Sequence, residues 1–593
     1  MTIRCSEAGW ARDIYGLYRY GGWHFELSKA QFPRGVTMKL LLDGRHFMAG
    51  EDHHLDSTVN HHFQDPEIAF EGAPAHRITL PYGNFRGEYS RQEQEIAAGN
   101  VNSDIAYDVI VVGSGMGGGI LADQLADRGA SVLILEAGAI AVPTHMHNLP
   151  GAWENLAERN QIIHFENERD SQFLFGVQLN LGGRSVFWSG LIPRMRDWEL
   201  AYWPNEIATY LRTDGYSAAE ALMRKQRNLG PYQRSVVEHL AQHLPDYSVS
   251  DQPRSKHQPH LTPDGSALGD IIDTSTGTFS TAELLIDSLS HPGRSGRDNL
   301  TINLLHRVVR IESLGEESAL IHCHDLAGNV ERSYRARYVV MCAGSVESPR
   351  IALQSNLRDP NGKIGRGLSD HPAYFSHGGS DYGYPIPRFR ADGTPHPFGD
   401  PGVAAKILIQ HNSASSREHA FNAEVLINGW YWDFRHADDD VRRARLDETA
   451  LARVKFQFNF LTELDDRNYI ALRGDNRPLG IHVNANEAGR QFHEECKQLR
   501  NRILTALDVE NPDPNRDLGY GNQGTPHHAG GSLRISGDGS GVVDANLKFE
   551  AYPNLYACDV SVFPVIPCAN PSLTLGALSL RLADHLAGRL NLP

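Results

Sequence analysis

The chain alternates between polar stretches and short apolar runs, and two of these runs frame a glycine-rich turn. Residues 108–112 (Asp-Val-Ile-Val-Val) and 131–135 (Ser-Val-Leu-Ile-Leu) are typical of strands that are buried on both faces of a parallel sheet. Between them, residues 120–128 have the apolar spacing of a helix, which ends at Gly129. The pattern therefore predicts a strand, a turn, a helix and a second strand.

The turn carries the spacing Gly113-x-Gly115-x-x-Gly118. In such a motif the first glycine permits the tight turn, the second lets a pyrophosphate approach the backbone, and the third lets helix and strand pack closely. The phosphates then lie at a helix N-terminus, where free N–H groups favour negative charge. Glu136 ends the second strand, where an acid accepts hydrogen bonds from ribose hydroxyls. The motif predicts a dinucleotide site but does not distinguish FAD from NAD.

Further apolar patterns predict elements elsewhere in the chain. Residues 338–342 form a third buried run that stops at Ala343-Gly344 and precedes a helical pattern over 348–353. A C-terminal helix is predicted over 575–586, since Leu578, Leu582 and Leu586 share one face. In the N-terminal 103 residues, the run 38–42 before Asp43-Gly44 predicts a hairpin. A chain of 593 residues is too long for one core, so we expect two lobes.

Composition narrows the class of protein. The net charge of −16 and the absence of a lysine or arginine run argue against nucleic-acid binding. Six scattered cysteines without a Cys-x-x-Cys pair argue against a zinc site or a disulfide framework. No run approaches the roughly 18 apolar residues of a membrane span, and no signal peptide is apparent, so we expect a cytoplasmic protein without a membrane partner.

Two histidine pairs, at 53–54 and 61–62, lie near acidic residues and are candidate metal ligands. They lack helical i,i+4 spacing and a neighbouring cysteine. A polar surface segment is the favoured interpretation, and no metal site is predicted.

Several further motifs occur in one order along the chain. They are Glu136-Ala137-Gly138, LGGRSVFWSG at 181–190, Trp203-Pro204, RVVR at 307–310, AGSVESPR at 343–350, IGRGLSDHP at 364–372, HAGGSLR at 528–534, DVSVFP at 559–564 and Asn570-Pro571. Together they resemble the glucose–methanol–choline (GMC) family of FAD-dependent alcohol oxidoreductases over about residues 104–593.

The resemblance implies an α/β fold with two domains. A Rossmann-type FAD-binding domain with a mostly parallel sheet would comprise residues 104–195, 266–372 and 521–593. An α+β substrate domain built on an antiparallel sheet would comprise 196–265 and 373–520, and residues 1–103 would be an extension of unassigned role.

The resemblance also implies which residues contact FAD. Val309 would lie on the strand that meets the adenine, Asp559 near the ribityl or phosphate region, and the backbone of Asn570 and Pro571 at the flavin edge. The expected set is Gly113, Ser114, Gly115, Met116, Gly117, Gly118, Glu136, Gly183, Ser185, Trp188, Val309, Ala343, Gly344, Asp559, Asn570 and Pro571. Phe187 stands where pyranose oxidases, the branch that the Gly182 segment most resembles, carry a histidine that can bond covalently to the flavin. We therefore expect non-covalent FAD.

Transfer of hydride from an alcohol carbon to flavin N5 requires a base for the hydroxyl proton and a second polar group that orients the oxygen. By resemblance, His528 is the base and Asn570 the orienting group, with His527 as the rival base. Asp370-His371 is interpreted as a structural turn. The expected substrate is a small, polar, sugar-like alcohol, with Trp430, Tyr431, Trp432, Phe456, Phe458 and Asn459 as candidate contacts. The expected electron acceptor is oxygen or a quinone-like compound. The alternatives are a lyase-type member of the fold and an oxidoreductase that acts on a non-sugar alcohol.

Overall fold

A computed structural model describes the chain except for residues 1, 57–106, 149–160, 257–276, 291–298, 377–382 and 429–450 and internal gaps of one to four residues. The described residues form two large sheets, several small ones and a separate N-terminal sheet. Within these residues, no helix combines the length and apolar character that crossing a membrane would require.

The first large sheet is built around parallel strands. Its spatial order is Leu300–Asn303, Val132–Leu135, Tyr107–Val112, Val330–Met341, Ser318–Asp325 and His306–Gly315, and Leu555–Ala557 also pairs with Val330–Met341. The first four strands and Leu555–Ala557 pair in parallel, whereas the strands over 306–325 form an antiparallel extension. The two strands that flank the glycine turn are almost wholly buried, as their continuous apolar pattern predicts.

The helices predicted beside this sheet are present and are longer than their apolar patterns indicated. They span Met116–Asp127, Gly344–Gln354 and Ser572–Leu590, and Thr281–Ser290 is a further helix that packs on the first. Leu578, Leu582 and Leu586 are buried along one face of the C-terminal helix. The extra turns lie at the helix ends, where glycine and serine obscure the periodicity.

The second large sheet is antiparallel. Its spatial order is Tyr247–Asp251, Ala405–His411, Phe421–Ile427, Ala452–Phe460, Ala373–Phe375 and Gly519–Gly521, and Tyr384–Ile386 also pairs with Ala452–Phe460. One face packs against helices Pro231–His243 and His493–Ala506 through an apolar core. The predicted α/β class, a parallel-sheet unit with a second unit on an antiparallel sheet, is therefore confirmed.

The N-terminal sheet contains Thr2–Cys5, Ile14–Tyr15, Val36–Leu42, His46–Phe47 and His53–Leu55, and a hairpin joins Leu17–Arg19 to Gly22–His24. The predicted hairpin after residues 38–42 is present, since Leu41 pairs with Phe47. Ile3, Cys5, Val36 and Met38 form its core. His61 and His62 lie outside the described residues.

The remaining elements are short. The strands are Gln161–Ile162 with Val177–Gln178, Phe165–Asn167 with Leu479–His482 and Tyr469–Ala471, and Thr462–Glu463 with Val565–Ile566. The helices are Met146–Asn148, Gly183–Val186, Asp197–Leu200, Asn205–Tyr210, Leu211–Gly215, Tyr216–Leu222, Arg490–Phe492 and Val560–Val562.

Candidate active site

A cavity of about 540 Å³ opens at the carboxyl ends of the parallel strands, where Val112, Leu135 and Cys342 line it. Ligands bind at this edge of open parallel sheets as a rule. The cavity brings together residues predicted from distant parts of the chain. Its lining includes Gly113, Ser114, Gly115, Met116, Gly117, Glu136, Gly183, Ser185, Trp188, Ala343, Gly344, Asp559, Asn570 and Pro571, together with His527 and His528.

The three glycines of the turn have different surroundings. A Cβ on Gly118 would lie 2.0 Å from the carbonyl oxygen of Gly113, so this position must lack a side chain for the helix to pack on the strand. A Cβ on Gly115 would meet no protein atom within 4 Å. Since the chain leaves that space open, Gly115 is where a pyrophosphate could approach the backbone. Gly118 does not line the cavity; its role is to let the helix pack closely on the strand that ends at the cavity.

Glu136 is buried at the end of the second strand and holds the glycine turn. Its Oε2 accepts hydrogen bonds from the backbone N–H (3.0 Å) and hydroxyl (2.7 Å) of Ser114, and its Oε1 accepts from the Gly138 N–H (2.8 Å). Burial raises the pKa of this carboxyl, against the lowering effect of these bonds. The backbone of Ala137 bonds to this carboxyl as well, so the chain itself occupies the roughly four acceptor sites of the carboxylate.

The segment predicted to pass over the flavin is fixed to the glycine turn. The Gly182 N–H donates to the Ser114 hydroxyl (2.9 Å), and the Ser185 hydroxyl donates to the Gly182 carbonyl (2.6 Å). The Trp188 indole N–H donates to the Phe279 carbonyl (2.8 Å). Phe187 also lines the cavity.

Asp559 fixes another turn of the cavity wall. Its Oδ2 accepts from the Gly344 N–H (2.9 Å) and the Ser348 hydroxyl (2.5 Å), and its Oδ1 accepts from the Ser561 N–H (2.8 Å). The carboxyl is buried, which raises its pKa. Asp559 therefore positions the start of helix Gly344–Gln354, in addition to lining the cavity.

Val309 lies on a strand that reaches the cavity at the two preceding residues. The Val309 side chain is 36% exposed and does not line the cavity, whereas Arg307 and Val308 do. The pairing with the neighbouring strand shifts between Val308 and Arg310, which marks a β-bulge. A bulge inserts one unpaired residue and redirects the side chains around it.

Two histidines meet beside the predicted base. His371 Nε2 lies 2.6 Å from His528 Nδ1, with the ring centroids 4.8 Å apart. Asp370 Oδ1 accepts from the His371 N–H (2.8 Å), and its Oδ2 accepts from the His528 N–H (3.0 Å). One buried carboxylate therefore holds the backbone of both histidines, a contact that the interpretation of Asp370-His371 as a turn missed.

The electrostatics of this cluster keep its imidazoles neutral. Burial lowers the pKa of His528 well below its ordinary value, and the neighbouring His371, His527 and Arg184 lower it further. Burial likewise lowers the pKa of His371 and of His527 to about 4. Burial raises the pKa of Asp370 to about 7 against the bonds from His528 and His371. Neutral imidazoles have a lone pair, so His528 or His527 could accept a proton at neutral pH.

The loop before Asn570 is held by Glu199, a residue that no sequence motif had marked. Glu199 Oε1 accepts from the N–H groups of Cys568 (2.8 Å) and Ala569 (3.2 Å), and its Oε2 accepts from the Arg196 N–H (2.7 Å). Glu199 is fully buried, which raises its pKa to about 7. The position of Asn570 in the cavity wall thus depends on a carboxyl in the short helix Asp197–Leu200.

Some candidate substrate contacts lie elsewhere. Phe456 and Phe458 pack in the apolar core on the helix-covered face of the antiparallel sheet and do not line the cavity. Asn459 alternates with them and points to the opposite face, where its amide donates to Glu424 (3.0 Å). Trp430, Tyr431 and Trp432 lie outside the described residues.

The residues that surround Gly115 fit the pyrophosphate of FAD. The backbone gap at Gly115 opens at the N-terminus of helix Met116–Asp127, whose first turn contains no acid. A helix N-terminus presents free N–H donors and a positive dipole end to an anion. The donor set and the gap thus provide for the phosphates, and the adjacent Glu136 carboxyl holds the turn in place.

Sequence comparisons relate the chain to one family. Two models described as GMC oxidoreductase match residues 291–373 and 466–579. Long-chain-alcohol oxidase FAO1 of Arabidopsis thaliana is 23% identical, with 82% of this chain and 67% of that protein covered. Paromamine 6'-oxidase of Streptomyces fradiae and 5-(hydroxymethyl)furfural oxidase of Methylovorus sp. are each 24% identical over 82% of this chain, covering 93% and 99% of those proteins.

A solved structure shares the fold. It is a formate oxidase of Aspergillus oryzae RIB40, described in connection with the effect of a mutation on FAD modification. The TM-score is 0.55 at 15% identity, and the match covers 82% of this chain and 99% of that one.

Proposed function

Because this chain belongs to the GMC oxidoreductase family and is an oxidoreductase of CH–OH groups, we propose that it uses non-covalently bound FAD to oxidise a small, polar, sugar-like alcohol. The observation that carries the proposal is the single cavity lining that joins the glycine turn to His528 and Asn570. When bound, FAD would supply the acceptor for the hydride that leaves the alcohol carbon.

The protein residues handle the hydroxyl group. His528 accepts the hydroxyl proton, because its imidazole is neutral, buried in the cavity wall and already held by His371 and Asp370. The Asn570 amide holds the same oxygen and so fixes the orientation of the carbon. Phe187 has no nucleophilic atom with which to bond a cofactor, which supports non-covalent binding.

A polar substrate is supported by the other residues that share the cavity with His528 and Asn570. Arg184, Ser185, Ser189 and His527 line it as well. A lining with several polar side chains suits a substrate with several hydroxyls better than an alkyl chain. Among the relatives, fructose dehydrogenase and paromamine 6'-oxidase have sugar-type names, whereas the plant enzymes are long-chain-alcohol oxidases.

The test is an anaerobic screen of the holoprotein. Hexoses, amino sugars, hydroxymethylfurfural and a long-chain alcohol are mixed with it while loss of the yellow flavin absorbance is followed. We expect bleaching by polar alcohols, and bleaching by the long-chain alcohol alone would refute the sugar-like class. A flavin that stays oxidised with every alcohol would favour a lyase-type reaction. Admitting oxygen or a quinone afterwards identifies the electron acceptor.

A pair of variants separates the two candidate bases. We expect His528→Ala to slow flavin reduction by about 100-fold or more, whereas His527→Ala retains most of the rate. FAD content and the visible spectrum should be unchanged in both. A slow His527→Ala variant beside a fast His528→Ala variant would transfer the role of base to His527.

A further inference from the structure

Building on the proposed role of His528, we propose that His371 is the positioning residue that determines which nitrogen of His528 carries the proton. The contact between them is direct and buried, with His371 Nε2 2.6 Å from His528 Nδ1 and His371 fully inaccessible to solvent. The two atoms are close enough that a single proton must lie between them. The donor is one of the two histidines, and the two cases have opposite consequences for the chemistry.

In the first case, His528 Nδ1–H donates to His371 Nε2. The other nitrogen of His528, Nε2, then keeps its lone pair and can accept the proton of an alcohol. In the second case, His371 Nε2–H donates to His528 Nδ1. His528 Nε2 then carries a hydrogen and can only donate, so it cannot act as a base. Only the first case supports the proposed reaction.

The proposed reaction therefore requires the first case. When His371 accepts at Nε2, its own proton must sit on Nδ1, a buried atom without a hydrogen-bond partner among the described residues, although the backbone of Pro372 opposes the effect of burial on the pKa of the ring. The short bond to His528 must offset the cost of that unpaired N–H. Asp370 accepts the backbone N–H groups of His371 and His528. The same two bonds hold the rings in register.

The arrangement also accounts for the fate of the proton. When the O–H bond of the alcohol breaks, its proton forms an N–H bond at His528 Nε2, and the electron pair stays on oxygen. His528 then carries a positive charge in a site where burial, Arg184 and His527 disfavour a cation. Because burial keeps His371 neutral, His371 accepts the His528 Nδ1–H in a charge-assisted bond that stabilises that state. His371 thus acts through His528 and does not touch the substrate in this scheme.

The experiment replaces the histidine with small molecules of the same ring size. His371→Ala holoprotein is mixed anaerobically with a substrate, alone and with added imidazole or pyrrole. Imidazole can accept a hydrogen bond, whereas pyrrole fills the same space and can only donate. We expect His371→Ala to reduce its flavin about 100-fold more slowly, with KM unchanged, imidazole to restore the rate, and pyrrole not to. Equal restoration by the two rings, or an undiminished rate, would overturn the inference.

A second readout does not depend on turnover. Trifluoroethanol, which donates a hydrogen bond, and acetate, which accepts one, are titrated against the oxidised holoprotein by flavin absorbance. In His371→Ala, acetate should bind about tenfold more tightly relative to trifluoroethanol than it does in wild type, because His528 Nε2 gains a hydrogen when the His371 acceptor is lost. An unchanged ratio would contradict the proposal.

Controls separate this inference from the proposed function. His396→Ala removes a buried histidine that bonds to Asp508 and Phe398 outside the cavity, so neither imidazole nor pyrrole should change its rate of flavin reduction.

A second pair of variants applies if His371→Ala does not fold. His371→Gln, which offers an acceptor, is then compared with His371→Leu, which does not, and equal rates of flavin reduction would count against the inference. A wild-type flavin that no alcohol reduces would refute the proposed function itself, whereas normal wild-type reduction with unaffected His371 variants would refute only this inference.

Discussion

The buried carboxyl of Glu199 should make the stability of this protein depend on pH in a specific window. Its pKa is raised by burial from an ordinary 4.5 to about 7 in the folded protein. Between these values the folded state binds a proton that the unfolded chain has released, so stability is highest at low pH and falls as the pH rises through 7. A difference of that size corresponds to about 3 kcal/mol, lost between pH 4.5 and pH 7.

The Glu199→Gln variant isolates this contribution. Its amide oxygen can still accept from the Cys568 and Ala569 N–H groups, but its NH₂ group cannot accept from the Arg196 N–H, which costs about 1–2 kcal/mol at every pH. The variant should therefore be less stable than wild type at pH 5, and the gap should close or reverse by pH 8. An unfolding entropy of about 2.1 cal/mol/K per residue converts 3 kcal/mol to about 2.4 °C for a chain of 593 residues.

The assay follows thermal release of flavin fluorescence from wild type and Glu199→Gln between pH 5 and pH 8. The change in the Tm difference, not either Tm alone, tests the argument, since other groups titrate equally in both proteins. Glu206→Gln, an exposed carboxyl on the adjacent helix, is the matched control and should show a constant difference from wild type. If the Tm difference between Glu199→Gln and wild type is the same at pH 5 and pH 8, the argument that burial raises the pKa of the Glu199 carboxyl is refuted.

Two further predictions concern the cofactor cleft. Gly115→Ala should fold with a near-normal Tm and lose FAD, because its Cβ meets no protein atom and would occupy the space left for the pyrophosphate; Gly118→Ala should lower the Tm, because its Cβ would lie 2.0 Å from the Gly113 oxygen. The Tm and the flavin-to-protein ratio of both variants test this. Full flavin occupancy in Gly115→Ala would contradict the assigned approach of the pyrophosphate. Glu136→Gln should weaken FAD binding by about 10- to 100-fold, because its NH₂ group would face the N–H donors of the turn and each lost buried bond costs about 1–3 kcal/mol. Reconstitution of the apoprotein with FAD measures the Kd. An unchanged Kd would show that Glu136 does not fix the cleft.

The parts of the fold that were predictable from the sequence are those with local causes. The buried strand Tyr107–Val112 and the glycine turn are encoded by adjacent residues, so their position and type were predictable. The side-chain directions around Val309 were not predictable, because no alternation of polar and apolar residues marks the β-bulge there. Phe456 and Phe458 were misassigned because the pattern defines two faces of a strand but not which face the helices cover.

The contacts that the sequence could not predict join residues far apart in the chain. The His371–His528 pair spans 157 positions, and Glu199 reaches Cys568 over 369. None of these residues belongs to a motif that states its partner, because such contacts arise when distant segments of the chain pack together and not from local spacing. By contrast, the motif order that resembles the GMC family led to His528 and Asn570, and the cavity lining joins both.

Four buried carboxyls share one role around this cavity. Each accepts backbone N–H bonds from a turn of the wall: Glu136 from Ser114 and Gly138, Asp370 from His371 and His528, Asp559 from Gly344 and Ser561, and Glu199 from Cys568 and Ala569. A wall made of turns has N–H groups that no helix or sheet satisfies, and interior N–H groups require acceptors.

These carboxyls must be buried to reach the N–H groups, and burial raises the pKa of all four. Because these carboxyls mainly bond the chain itself, the turns that carry the glycine cradle, His528 and Asn570 are fixed by the protein. The cleft is therefore preorganised, so that binding energy from cofactor and substrate need not be spent on ordering it.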